Sequence, residues 1–498
     1  MTEPFAVFRC DASAKIGVGH VMRCLTLADE LSACGWRAAF VVSPETLNTV
    51  PALLTRGHDV MPLPNGEMQD SDLLQTQFEN LKIRYPSGCD WLVVDHYGLD
   101  AEFEGMCRNW AGSILVIDDL ADRPHKCDTV LDMSLDHGIE KYADLLVKEG
   151  TFLSGPRYAL LRPQFRKSRQ QSLSRRKDNR LERLLISLGG TVSPQIIEEV
   201  LAGVHESGLN LKVDVVGGLC AGEPPQTDSN IHWYTGVDNM AVLMSQADLS
   251  IGAGGTTSWE RCALGLPTVM LSLADNQCGN IQALTQAGAA CATDIERTAI
   301  AQCLQMLPDL ESMSKKAAEI CDGWGDVRTT LFMTRPETAR DGGEVKLRLA
   351  DMADVDFMYD WQCHPDTRRF ARNQSTLPYE EHVKWVCDCV NDPDRYLCVV
   401  THGGVDVGVL RLDRLEVKKT ETEVQTYEVS IYINPDKYRL GLAHAALAFA
   451  RAWRQRDVFR AFVMDENISS RALFLAAGYI PDGDQWYIHK PIVTGNVS

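Results

Sequence analysis

Short runs of β-branched and aliphatic residues alternate with helical stretches through the first 330 residues, and that alternation admits few folds. FAVFRCD (5–11), AAFVVS (38–43), WLVVDH (91–96) and ILVIDD (114–119) are each bounded by polar or glycine-containing segments. Runs this short and this apolar suit strands buried on both faces of a parallel sheet. Between the first two, GHVMRCLTLADELSACG places Val21, Cys24, Leu25, Ala28 and Leu31 on one helical face, with Gly35 as the C-terminal cap. Strand–helix alternation of this kind predicts a doubly wound α/β domain.

Two breaks divide the chain. RKSRQQSLSRRKDNR (166–180) is basic and shows no apolar period, so it reads as a solvated connector. The α/β rhythm then restarts with RLLISLGGT, a helix around 194–206, LKVDVVGG and DLSIGAGGTT. TRPETARDGGE (334–344) combines Pro, Gly and charge and reads as an interdomain linker. Beyond it, strands near 396–400, 405–412 and 426–433, a helix from Leu442 and another over 469–477 make an α+β module. The expected domains are 1–165, 181–330 and 345–498: two doubly wound Rossmann-like halves followed by a smaller mixed domain.

Composition narrows the function. The 49 basic and 68 acidic residues leave a net charge of −19, which argues against a nucleic-acid or anionic-membrane partner because either needs an extended basic face. The 16 cysteines form no CxxC pair and no Cys/His zinc spacing, so reduced thiols and no metal site are expected. Neither a signal peptide nor an apolar run of membrane-spanning length is evident, and a cytoplasmic protein is the expectation.

Three segments run from a strand into small residues and then a helix: Gly17-Val18-Gly19-His20, Gly189-Gly190-Thr191, and Gly252-Ala253-Gly254-Gly255-Thr256-Thr257. Glycine lets a ligand approach the backbone, and the N–H groups that follow suit a phosphate or diphosphate. None fits the P-loop pattern. Their position at strand carboxyl ends is where open α/β sheets bind ligands.

The longest block, IGAGGTTSWERCALGLPTVMLSLADNQCGNIQALTQAGAA (251–290), resembles the nucleotide-diphosphate site of GT-B-fold sugar-nucleotide enzymes. The resemblance implies that Gly255 and Thr256 hold the diphosphate, that Glu260 bonds the ribose, and that Gln277 and Asn280 lie nearby. RCDASAKIGVGHVMRCLTLADEL (9–31), with VVDHYGLD, VIDDLADRPHKCDTVLD and GPRYALLRPQF, is similar to the UDP-2,4-diacetamido-2,4,6-trideoxy-β-L-altropyranose hydrolase family of pseudaminic acid biosynthesis. By that resemblance, which covers residues 5–325, His20 is the catalytic histidine. An imidazole that titrates close to neutrality is able to take a proton from water. Gly19, Arg23, Asp95, Tyr97, Gly190 and Thr191 join the candidate substrate residues, and Asp119 sits at a neighbouring strand end.

Residues 345–492 resemble the GCN5-related N-acetyltransferases (GNAT), through LRLADMADVDFMYDWQCHPDTRRFARNQ, PYEEHVKWV, VSIYINPDKYRLGLAHAAL and ENISSRALFLAAGY. The resemblance implies acetyl-CoA bound by Ile431, Ile433, Tyr438, Arg439, Gly441, Leu442, Ala443, Asn467, Ser470 and Phe474. Two positions depart from the family's pattern: Tyr438 replaces an Arg or Gln of the coenzyme loop, and Phe474 replaces a tyrosine that often serves as general acid. Glu428, on the strand before the loop, is the candidate base. The resulting expectation is a bifunctional enzyme that acetylates a UDP-linked amino sugar and hydrolyses the diacetamido product. The alternatives are a hydrolase carrying a non-catalytic acetyl-CoA-binding module and a GT-B glycosyltransferase.

Overall fold

The computed structural model describes residues 3–13, 15–64, 71–135, 138–147, 150–190, 192–217, 229–415 and 424–492. The chain divides into two compact units, one of Pro4–Asp29 with Arg37–Asp326, the other of Glu3, Glu30–Trp36 and the described residues from Val327.

The first unit holds two parallel sheets. In the first, the spatial order is Asp59–Pro62, Arg37–Val42, Phe5–Cys10, Cys89–Asp95, Ala111–Ile117, Thr129–Asp132 and Thr151–Ser154. The second runs Ile231–Tyr234, Lys212–Val216, Arg183–Ser187, Leu249–Ala253, Thr268–Leu271 and Ala290–Ala292. Each winds outward in both directions from its first strand. Each therefore has one switch point, between Phe5–Cys10 and Cys89–Asp95 and between Arg183–Ser187 and Leu249–Ala253, where the loops part and leave a crevice. These are two doubly wound halves of the GT-B-like kind. Their sheets fully bury Val7, Leu92, Ile114 and Val130 in one half and Leu184, Ile186, Ile251 and Val269 in the other, with Phe103 and Tyr142 packed into the first core. The helix Gly19–Ala33 buries the expected stripe of Val21, Cys24, Leu25, Ala28 and Leu31.

The basic stretch 166–180 is not a solvated connector. A helix spans Pro163–Arg175, and it buries Phe165, Arg166, Arg169 and Ser172. Its buried stripe has the helical spacing, but the residues are polar, so a search for apolar period passes over it. Arg169 donates to the carbonyls of Ala263, Cys321 and Ala318, and Ser172 to that of Leu264. Arg176 donates to those of Met244 and Ala247. These carbonyls end the helices Thr257–Ala263, Leu310–Ile320 and Met240–Gln246. The guanidinium groups thus satisfy orphan acceptors at the negative ends of three helices. Burial drives the Arg176 guanidinium down to about 9, and those carbonyl acceptors are its compensation. Arg166 lies 2.6 Å from the buried Asp326 carboxylate.

The second unit carries an eight-stranded mixed sheet in the order Glu337–Thr338, Glu344–Leu349, Arg395–His402, Val405–Arg414, Thr426–Ile433, Val458–Phe462, Trp486–His489 and Ile480–Pro481. The helix Leu442–Trp453 covers it with Leu442, Ala445, Ala446, Phe449, Ala450 and Trp453, a spacing of three and four residues. The stretch 334–344, expected as a free linker, is a hairpin: Glu337 pairs with Val345 and Thr338 with Glu344. Pro336 and the Gly342-Gly343 pair mark the strand entry and its turn, with Gly342 at φ +88°. Among the described residues, no helix is long and apolar enough to cross a membrane.

Candidate active sites

His20 stands in the first turn of its helix, just past the carboxyl end of Phe5–Cys10, and Asp95 ends the neighbouring strand across the switch point. The His20 Nδ1 lies 2.6 Å from Asp95 Oδ1. Arg23, one helical turn on, reaches both Asp95 oxygens at 2.6 and 2.7 Å, and Asp119 at 3.2 Å. Burial opposes ionisation of Asp95, but Arg23 and His20 hold its carboxyl well below the usual range. An ionised carboxylate at that distance requires the proton on Nδ1, which leaves Nε2 as the basic nitrogen. The Arg23 Nη2 contact to Nδ1, at 3.2 Å, is longer and does not reverse this. Tyr97 packs edge-on to the imidazole with centroids 4.5 Å apart and donates to Asp119 at 2.9 Å. Burial and then the Asp119 carboxylate raise its phenol.

Two expectations change here. Asp95 and Arg23 do not line a sugar pocket: Asp95 is fully buried, Arg23 nearly so, and their charges are spent on one another and on His20. Both lie against the His20 imidazole. Tyr97, 36% exposed, remains at the surface of the crevice.

The second half brings its glycine loop to the same place. A Cβ built on Gly19 would lie 3.8 Å from Thr256 Oγ1, so the two loops are neighbours. Gly254 is tightly enclosed, since a Cβ there would meet Ile281 at 2.6 Å and Gln277 at 3.0 Å. Gln277 accepts from the Gly254 N–H and braces the loop. Gly255 has open space around it, as a residue that faces a ligand requires. Glu260 is largely buried and pushed up to about 7 by that burial, against the opposing charge of Arg162 at 3.7 Å. Asn280 lies on the next helix, with a buried side-chain oxygen that has no partner among the described residues. Gly190 is exposed at the end of its strand. Thr191 lies outside the described residues.

In the second unit a cleft of about 1360 Å³ opens where two strands separate. Thr426–Ile433 and Val458–Phe462 pair in parallel only from Thr426 to Glu428. Beyond that point the backbone of Val429–Ile433 faces the cleft on that side. The structure gathers all ten expected coenzyme residues and Glu428 along this cleft. Gly441 takes φ +78°, the left-handed conformation that starts the helix, and Arg439 is also left-handed at +71°. The hairpin expected as a linker braces this loop, with the Arg340 N–H donating to the Leu440 carbonyl at 3.0 Å. Asn467 Oδ1 accepts from the Ser470 N–H and caps its helix. Phe474 is buried, and its ring brings no proton donor to the cleft.

Comparison with known proteins agrees with this division. The acetyltransferase (GNAT) domain family matches residues 344–480. The glycosyltransferase family 28 C-terminal domain matches residues 207–322. An uncharacterized protein of Methanocaldococcus jannaschii is 22% identical over 491 residues, covering 94% of this chain and 95% of its own. The UDP-2,4-diacetamido-2,4,6-trideoxy-beta-L-altropyranose hydrolase of Campylobacter jejuni is 24% identical over 250 residues, 49% of this chain and 82% of its own. The spore coat polysaccharide biosynthesis protein SpsG of Bacillus subtilis is 25% identical over 345 residues, 65% of this chain and 96% of its own.

Sequence reasoning missed several residues at both sites. Arg162 lies in the GPRYALLRPQF block but was not singled out there, and only the fold brings it beside Glu260. In the second unit, Arg372 pairs with Glu428 at 2.7 Å and stands over the rings of Phe462 and Trp486 at 4.4 and 5.6 Å. The run of arginines at 368, 369 and 372 was the available signal.

Proposed function

We propose that this chain is a bifunctional nucleotide-sugar enzyme of pseudaminic acid biosynthesis, cytoplasmic, with domains 1–165, 181–330 and 345–498. The GNAT domain acetylates the 4-amine of a UDP-linked 4-amino-4,6-dideoxy sugar with acetyl-CoA. The two α/β halves then hydrolyse UDP-2,4-diacetamido-2,4,6-trideoxy-β-L-altropyranose to UDP and the free sugar. The observation that carries the reading is the buried Asp95–His20 pair set beside the Gly255-Thr256 loop.

His20 Nε2 takes a proton from a water molecule, and the hydroxyl oxygen bonds to the anomeric carbon as the bond to UDP breaks on the opposite face, with inversion. The N–H groups of the Gly255 loop stabilise the leaving diphosphate, and Glu260 accepts from the ribose. In the GNAT domain the amine attacks the thioester carbonyl, and the proton passes to Glu428 through water as the coenzyme thiolate leaves. With phenylalanine at 474, that thiolate takes its proton from solvent. The cleft residues suit acetyl-CoA as co-substrate: backbone of Val429–Ile433 for the pantetheine arm and the Gly441 loop for the diphosphate.

The test is an NMR time course of the purified chain with the UDP-4-amino sugar, with and without acetyl-CoA. UDP and free diacetamido sugar appearing only with acetyl-CoA support two sites in series. Acetylated sugar that stays UDP-linked until an acceptor is added supports a glycosyltransferase, the reading favoured by the match to residues 207–322. Hydrolysis of pre-acetylated substrate alone leaves the GNAT domain a coenzyme-binding module.

A further inference from the structure

An ion pair between Arg372 and Glu428 lines the cleft of the second unit. On a chain of net charge −19 the cleft is lined by two groups of cations. Arg340, Lys437 and Arg439 stand at the Gly441 loop, while Arg368 ends the helix Pro365–Arg368 with Arg369 and Arg372 just beyond it; Arg411, which also lines the cleft, is paired with Asp413 at 2.8 Å. Glu428 and Ile433 mark the two ends of the parted strand, five residues or roughly 16 Å apart at strand rise. One diphosphate cannot occupy both groups. Coenzyme A accounts for the first, and the second is left for another anion.

Arg372 is the member built into the wall. Its guanidinium lies over Phe462 and Trp486 and 2.7 Å from Glu428, although 54% of the side chain is exposed. Arg460 pairs with Asp482 and stands over the other side of this aromatic wall, 4.8 Å from the Trp486 ring. Contact with two ring faces favours this placement of the guanidinium, and its exposure leaves it within reach of a ligand in the cleft. In this arrangement the carboxylate assigned as base is engaged by a cation.

We infer that Arg372 is a specificity-determining latch: a diphosphate on the acceptor sugar draws its guanidinium off Glu428, and the freed carboxylate then serves the amine. A diphosphate offers a bidentate, more highly charged partner than one carboxylate. A free amino sugar has no anion with which to make the exchange. The inference rests on the acetyltransferase reading above and deepens it. The acceptor is nucleotide-linked, so acetylation comes before the reaction that removes the nucleotide.

The experiment compares the wild-type chain with Arg372→Met, Arg372→Lys and Glu428→Gln, each checked for folding by circular dichroism. Acetylation is measured with the UDP-linked and the free 4-amino sugar, and UDP binding per chain by calorimetry. The wild type is expected to prefer the UDP-linked acceptor and to bind two UDP per chain, one in each unit. Arg372→Met should cut the ratio of the two kcat/KM values at least tenfold and remove one UDP site, and Arg372→Lys should restore part of both. A folded Arg372→Met that keeps the wild-type ratio overturns the latch. If neither acceptor turns over, an unchanged count of bound UDP overturns it equally. An active Glu428→Gln would remove the base assignment and overturn the latch with it, and a ratio lost in Arg372→Met would then report diphosphate recognition by Arg372 alone.

Discussion

Asp95 is fully buried at the end of its strand and holds His20 Nδ1 at 2.6 Å, so the imidazole presents its other nitrogen to the crevice. Seventy-five residues separate the two in sequence, and the switch point of a parallel sheet makes them neighbours. An orienting carboxylate, a histidine and an open face form a general-base arrangement.

His20→Ala should abolish UDP release while acetyl transfer persists. Asp95→Asn should lower kcat for UDP release by about 100-fold or more, because an amide accommodates either imidazole tautomer. A coupled assay for UDP beside a thiol assay for coenzyme A reads the two reactions separately. Retained hydrolysis in His20→Ala would take this residue out of the mechanism.

Glu260 gives a pH dependence whose sign follows from its raised pKa. Its carboxyl moves from 4.5 in a free chain to about 7 in the fold. Its contribution to stability is therefore full below 4.5 and is lost as pH rises through about 7. The ionised form is the stronger acceptor for ribose hydroxyls, so UDP affinity should weaken as pH falls through the same value. Calorimetric titrations from pH 6 to 8 should show this slope in the wild type and not in Glu260→Gln.

Gly441→Trp should block acetyl-CoA binding and leave hydrolysis intact. The position is left-handed at φ +78°, and a Cβ would already lie 2.9 Å from the Arg340 side chain. Equilibrium dialysis with acetyl-CoA measures the loss. Undiminished binding would mean that the coenzyme loop lies elsewhere.

Arg166→Met should lower the stability of the first unit by about 3–5 kcal/mol, because it strips a guanidinium from a buried carboxylate. Asp326 is fully buried, so no water replaces the lost partner. Urea denaturation followed by tryptophan fluorescence reads the change in midpoint. A shift no larger than that of an exposed control such as Lys167→Met would show that the pair contributes little.

Strand positions were legible in sequence because parallel strands are buried on both faces and write continuous apolar runs. The glycine loop was legible for a related reason: Gly254 is required by enclosure, and Gly255 has open space around it. The helix Pro163–Arg175 was not legible, since its buried face is made of arginine and serine, residues that ordinarily mark solvent. The hairpin at 337–345 was hidden by the same ambiguity, because Pro, Gly and charge compose a tight turn as well as a free tether. Neither the stripe nor the hairpin differs in composition from what it was mistaken for.

The order of strands and helices, the −19 charge, the glycine loops and the histidine after the first strand were determined by the sequence itself. They are local properties: side-chain period, backbone freedom and titratable group are carried by each residue wherever it lies. The tertiary structure alone decided that Asp95 lies beneath His20, that Arg162 faces Glu260, that three helix ends meet the arginines of one helix, and that Arg372 holds Glu428. Those relations join residues far apart in the chain. Their energy exists only once the sheets have closed and water has left the space between the charges.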